Sequence, residues 1–177
     1  MKKIGIIFAF LIATVSMGYA QRVAYVDSEY ILKHIPEYVA AQKKMDDLSV
    51  QWQEEVDAQY AEIEKLYQEY QNDQVLLNDD MRKRREDEIV QKEKDVKDFQ
   101  RQKFGYEGEL FQERIRLVNP IQERVAEAIQ SIADAQGLDI ILDKGSEVTF
   151  LYANPKLDKS DEIIKKLGFK PDPTLLD

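Results

Sequence analysis

Side chains suited to acid–base, nucleophilic or metal chemistry are few and scattered in this sequence. There is no cysteine, which excludes disulfides, thiol nucleophiles and thiolate metal sites together, and the single histidine, His34, leaves no multi-histidine zinc site. Neighbouring carboxylates such as Glu54-Glu55 and Glu86-Asp87-Glu88 have the wrong spacing for paired catalysis, because adjacent residues on a helix point apart. They also lack the glycine-centred loop that holds Ca²⁺. No phosphate-cradling glycine loop occurs, so neither ATP nor any other cofactor is expected. Arg82-Lys83-Arg84-Arg85 is the one basic cluster, and Asp79, Asp80, Glu86, Asp87 and Glu88 surround it, which favours a solvated helix start. A formal charge of −9 over 177 residues argues against nucleic acid as a partner, since neutralising phosphates needs clustered Lys and Arg. The residues point to a non-enzymatic protein that acts through its shape and surface.

The first twenty residues read as an export signal. Lys2 and Lys3 precede an apolar run from Ile4 to Val15, and Gly18-Tyr19-Ala20 places small residues before a cut between Ala20 and Gln21. The alternative, a membrane anchor, would need about 20 apolar residues, more than this run supplies. Removal of residues 1–20 takes the two lysines with it and moves the charge from −9 to −11.

Arg22 to Asp27 is a short β-branched and aromatic strand, after which Asp27 or Ser28 can cap a helix. Pro36 interrupts that helix and starts a longer one. Met45, Leu48, Trp52, Val56, Tyr60, Ile63, Tyr67 and Tyr70 then follow at spacings of three and four, a narrow coiled-coil seam on a charged helix. A second seam runs Ile89, Lys92, Val96, Phe99, Lys103, Tyr106, Leu110. Neither stripe is wide enough to stabilise a helix alone, so the two are expected to fold together as an antiparallel hairpin over residues 36–119. Its tip lies near 72–81, where Asp79 or Asp80 caps the returning helix. In this reading Tyr60, Tyr67, Phe99 and Tyr106 hold the seam, whereas Phe104 and Phe111, seven apart and off it, form a second stripe.

Gly105 and Gly108 weaken the returning helix, each by about 1 kcal/mol relative to alanine, and Pro120 should kink it. Gly137 ends it, Leu138 to Asp143 reads as a buried strand, Lys144-Gly145-Ser146 as a turn and Val148 to Tyr152 as a third strand. A terminal helix over Asp161 to Leu167 has Ser160 as its expected cap and Gly168 beyond its end. The expected fold class is α+β, mostly α: a long arm on a small β body made of residues 21–35 and 120–177. So small a sheet buries little and leaves edges open, which implies self-association through Val23, Tyr25, Val26, Ile140, Ile141, Leu142 and Phe150.

Arg22-Val23-Ala24-Tyr25-Val26-Asp27, Leu117-Val118-Asn119-Pro120-Ile121 and Gly137-Leu138-Asp139-Ile140-Ile141-Leu142-Asp143, in that order around a charged hairpin, resemble the Skp (OmpH-like) family of periplasmic chaperones. The resemblance implies a homotrimer whose strands form a central barrel and whose arms surround a cavity, in the manner of a jellyfish. It further implies an ATP-independent holdase that keeps unfolded outer-membrane β-barrel proteins soluble in the periplasm. Phe104, Phe111 and Tyr70 would then be client contacts, and Gly105, Gly108 and Pro120 hinges of the arm. One departure stands out: from Glu37 to Tyr70 three lysines face nine acids, a net of −6, whereas relatives known for membrane contact are basic. Lipopolysaccharide or membrane contact is therefore not expected, the Arg82–Arg85 cluster being the one exception to test. The alternative function is a structural coiled-coil spacer or envelope adaptor.

Overall fold

The computed structural model describes residues 21–145 and 151–176. The expected signal, with its cleavage site at Ala20, and Phe150 fall outside them. The elements are β1 (Val23–Val26), α1 (Ser28–Lys33), α2 (Pro36–Asp73), α3 (Asp79–Phe104), α4 (Glu109–Gln136), β2 (Ile140–Asp143) and α5 (Ser160–Lys166), with single 3₁₀ turns at Pro155–Leu157 and Pro173–Leu175. They form two compact units, one of residues up to His34 and from Val125 on, the other from Ile35 to Arg124.

In the first unit β1 and β2 pair in parallel, with Val23 opposite Ile140 and Val26 opposite Asp143. Parallel pairing needs a crossover, and all of α1 to α4 lies between the two strands. On the other edge of β1, Tyr25 bridges to Asp158 and its carbonyl accepts from Lys159 N–H at 2.9 Å. β1 is thus the inner strand, with Ala24, Tyr25 and Val26 buried, and β2 lies on its flank with Ile140 and Leu142 exposed. The expected third strand is not present at Leu151 and Tyr152, which are irregular and exposed; its other residues, 148–150, lie outside the described ones.

Side-chain caps stitch the strand ends to the helices. The Asp27 carboxylate accepts from Tyr30 N–H at 2.9 Å, as its sequence position predicts. Asp143 accepts from the Ser28 N–H at 3.0 Å, the Ser28 hydroxyl at 2.6 Å and the Gly145 N–H at 2.9 Å, so the end of β2 is tied to the start of α1. Ile31, Ile163 and Ile164 are fully buried where α1 meets α5. Ser160 is not the cap of α5 but its first residue; Asp158 accepts from both its N–H (2.9 Å) and its hydroxyl (2.6 Å), and that hydroxyl in turn accepts from Asp27 N–H at 2.8 Å. Gly137 (φ +61°) and Gly168 (φ +91°) end α4 and α5 as expected, each followed by an N–H that reaches back five residues, Leu138 to Ala133 O and Phe169 to Ile164 O.

The second unit is the hairpin. α2 begins with Pro36 at its first turn and is 38 residues long, about 57 Å at 1.5 Å per residue. Val56, Ile63, Ile89 and Val96 form its core, with Leu66, Tyr70, Phe99 and Phe104 packed against them. Cross-helix pairs descend on one strand of the hairpin as they rise on the other, from Tyr70 with Glu86 to Tyr67 with Glu93 (3.0 Å) and Tyr60 with Gln100 (3.2 Å), the antiparallel arrangement the seams predict. Asn78 caps α3, one residue before the expected aspartates, and accepts from Met81 N–H at 2.9 Å. Asn78→Ala should cost about 1 kcal/mol, and amide exchange in the first turn of α3 should accelerate roughly fivefold while the rest of the seam is unchanged.

The return strand is not one softened helix. It breaks between Phe104 and Glu109 into a turn in which Gly105 N–H bonds Arg101 O and Gly108 N–H bonds Gly105 O, both at 2.9 Å, and Glu107 adopts φ +58°. A Cβ on Gly105 would sit 2.3 Å from Arg101 O, and one on Gly108 would sit 2.9 Å from two carbonyl oxygens, so both positions need glycine for close backbone approach. α4, by contrast, runs on through Pro120.

Candidate functional surface

The predicted site residues divide sharply once the turn at 105–108 is in place. Phe104 is half-buried and meets the Trp52 ring edge-on, 6.1 Å between centroids at 82°. It belongs to the seam, contrary to its expected place on an open stripe. Tyr106, expected in the seam, is instead 93% exposed, because the chain has left the helix by that point. Phe111 is 42% exposed and stacks on Tyr106 at 6.3 Å and 24°, with exposed Ile115 one turn further along α4. Phe104 and Phe111 therefore do not share a stripe; Phe111 shares its open surface with Tyr106 instead. The signal for it was Gly105-Tyr106-Glu107-Gly108, whose paired glycines read as a turn as readily as a soft helix.

Tyr70 packs against the seam and its hydroxyl donates to the Glu86 carboxylate, a bond that raises its pKa above the ordinary tyrosine value, with burial and the Glu86 charge adding to the shift. Tyr60 and Tyr67 lie at the seam's margins, exposed on one side and anchored through their hydroxyls. Leu66 takes the buried place the heptad reading gave to Tyr67. Of the two lysines in the second seam, Lys92 reaches out to pair with Glu62 at 2.8 Å, whereas Lys103 stays over the Trp52 ring at 4.8 Å from its centroid while bonding Glu109 at 2.6 Å.

At the tip, Val75 and Leu76 are 87% and 83% exposed, and Met81 is exposed beside them. Within the basic cluster Arg82 bonds Gln74 O at 3.1 Å and Arg85 pairs with Glu88 at 3.3 Å, so two of its four cations are engaged locally. Nearer the start of α2, a groove of about 640 Å³ separates α2 from α4, with Ala40, Ala41, Leu117, Pro120 and Ile121 along it. The ion pairs Glu37–Arg124 (3.3 Å) and Lys44–Glu113 (3.4 Å) join the two helices across it. The Glu37 carboxyl is held below the ordinary carboxylate range by its own backbone N–H at the helix start and further by Arg124; that of Glu113 is lowered by Arg116 and then Lys44. In the first unit, Tyr25 and Val26 of the predicted association set are buried, Val23 and Ile141 half-buried, and Ile140 and Leu142 open.

Among the described residues no cluster of His, Asp or Glu is placed to hold a metal, and no helix is long and apolar enough to cross a membrane. What the arm offers is weak, open apolar surface on a charged scaffold. No curated protein sequence matches the chain. Its fold is similar to a crystal structure from Caulobacter crescentus described as a candidate outer membrane chaperone (OmpH-like), with a TM-score of 0.65 at 13% identity over 85% of each chain. The family model for outer membrane protein (OmpH-like) matches residues 22–167, from the start of β1 through α5. With the strand–hairpin–strand order in hand and nearly the whole described chain matched, this protein belongs to the OmpH-like (Skp) family of outer-membrane-protein chaperones, a family without enzymatic activity.

Proposed function

We propose that the protein is an ATP-independent periplasmic holdase, active as a homotrimer, that keeps unfolded outer-membrane β-barrel proteins soluble. The observation that carries this reading is that Tyr106, Phe111 and Ile115 stand together in the open on a charge-rich arm, beside a turn of the backbone. A small contiguous apolar patch among charged side chains binds an unfolded chain weakly and reversibly, as holding without folding requires. The acidic faces of α2 repel one another across a shared cavity and keep a bound chain mobile. Gly105 and Gly108 break the helix at the turn, Pro120 removes one bond from the continuous α4, and the three serve as the arm's points of bending. Ile140 and Leu142, open on β2, supply the contact surface of the trimer.

The test dilutes an unfolded outer-membrane barrel protein from urea into the protein starting at Gln21 and follows aggregation by light scattering. Suppression near one trimer per client is expected. Tyr106→Ser combined with Phe111→Ser should weaken client binding about tenfold, the loss of roughly 1.4 kcal/mol of apolar contact, while the helix signal stays unchanged. Absence of suppression by the unmodified protein would favour a coiled-coil spacer, and a monomer in multi-angle light scattering would remove the cavity.

A further inference from the structure

His34 is the sole histidine of the chain and is buried at the end of α1. Both of its ring nitrogens are committed: Nδ1 lies 2.8 Å from the Tyr30 carbonyl oxygen, and Nε2 lies 2.8 Å from the backbone N of Asp172. A carbonyl only accepts and a backbone N–H only donates, so the ring is neutral with its proton on Nδ1. The Tyr30 ring stands edge-on to it at 4.5 Å and 77°. Asp172 in turn organises the C-terminal segment, since its carboxylate accepts from the Thr174 N–H (3.0 Å) and hydroxyl (2.8 Å) and starts the last 3₁₀ turn. Beyond that turn Leu175 and Leu176 reach back to Asp27, Glu29, Tyr30 and Lys33 around a small cleft.

We infer that His34 is a pH-sensitive latch that holds residues 169–176 against α1 while its ring is neutral and releases them when the ring gains a proton. Histidine is the side chain that changes charge between about pH 8 and 5. A proton on Nε2 puts two donors face to face at 2.8 Å, and the bond to Asp172 N–H is lost.

The charged neighbours do not rescue that bond. From the C-terminal segment, Asp172 faces the ring with Lys170 close by; its carboxyl is held below the ordinary range by the Thr174 N–H and hydroxyl first, then by Lys170. An imidazolium drawn to this carboxylate would have to donate to it instead of accepting from the N–H, which again moves the segment. From α5, Asp161 is engaged with the Tyr30 hydroxyl at 3.3 Å, and on α1 Lys33 pairs with Glu29 at 3.3 Å. Release uncovers the Tyr30–His34 face of α1 and frees Leu175 and Leu176, so acid adds apolar surface to this unit without unfolding its isoleucine core.

Long-range ¹H–¹⁵N spectra of the chain from Gln21 to Asp177 read the ring directly, because one histidine gives one set of signals. At pH 7.5 the Nδ1–H tautomer is expected. As the ring charges toward pH 5, hydrogen-exchange protection at Asp172 and residues 174–176, corrected for intrinsic exchange, should fall at least tenfold while Ile31 and Ile163 keep theirs. His34→Phe, which keeps a ring and removes the acceptor, should leave the segment unprotected at both pH values. An Nε2–H tautomer, a ring that stays neutral to pH 5, unchanged protection when it charges, or a wild-type pH dependence in His34→Phe would each overturn the latch. The wild-type spectra decide the question even if the variant fails to fold.

Discussion

Val96→Asp is expected to open the hairpin. Val96 is fully buried among Val56, Ile63 and Ile89, three aliphatic side chains that offer a carboxylate neither a hydrogen bond nor a counter-ion. The lysines on the same face of α3, Lys92 and Lys103, are already engaged with Glu62 and Glu109. A narrow seam has no second layer into which a charge can retreat, so the substitution should cost about 3 kcal/mol or more. Amide protection across residues 52–104 should then fall by at least about a hundredfold, with the strand residues of the first unit unaffected. Burial raises the pKa of the new carboxyl, so the folded state binds its proton more tightly than the unfolded state does. Part of the loss should therefore return as pH falls toward the ordinary aspartate range, about 3.9. Val96→Asn separates charge from polarity: it should destabilise without that acid recovery. Undiminished protection in Val96→Asp would show that the cluster does not hold the two helices together.

Ile31→Ala should have a comparable effect on the other unit. Ile31, Ile163 and Ile164 are fully buried where α1 packs on α5, and β1 adds Ala24, Tyr25 and Val26 to the buried side chains of the same unit. Removing a buried isoleucine down to its Cβ costs about 2–5 kcal/mol, the spread reflecting how far the site can collapse. Against a total stability of about 5–15 kcal/mol this is a large fraction. A urea titration at fixed protein concentration should show the lost stability, accompanied by faster exchange at residues 23–33 and 160–166, while Ile31→Val should cost only about 1 kcal/mol. A midpoint within error of wild type would mean that this contact is not the unit's core.

The arm was legible because its physics is local. Spacings of three and four around Trp52, Val56 and Ile63 can bury one face of a helix and nothing else, and a charged remainder forces that face onto a partner. Pro36, Gly137 and Gly168 mark boundaries through their own backbone preferences, and all three stand where those preferences place them. The site was less legible. By count Tyr106 belongs to the seam and Phe104 does not, and what reverses them is the turn at Gly105, set by how closely the backbone approaches Arg101 O. Lys103 looked like a defect in the seam until the Trp52 ring appeared beneath it.

What the sequence determined by itself was therefore the helical hairpin, its charge and the proline and glycines that bound its helices, all properties of residue type and short-range spacing. The tertiary structure decided which strands pair, in which direction, and which aromatics remain open. β1 meets β2 in parallel across the whole arm, Asp158 covers the far edge of β1, and Asp172 comes back to His34. Each of these contacts joins groups more than a hundred positions apart, and their partners are selected by the packing of the folded chain rather than by any pattern either segment carries alone.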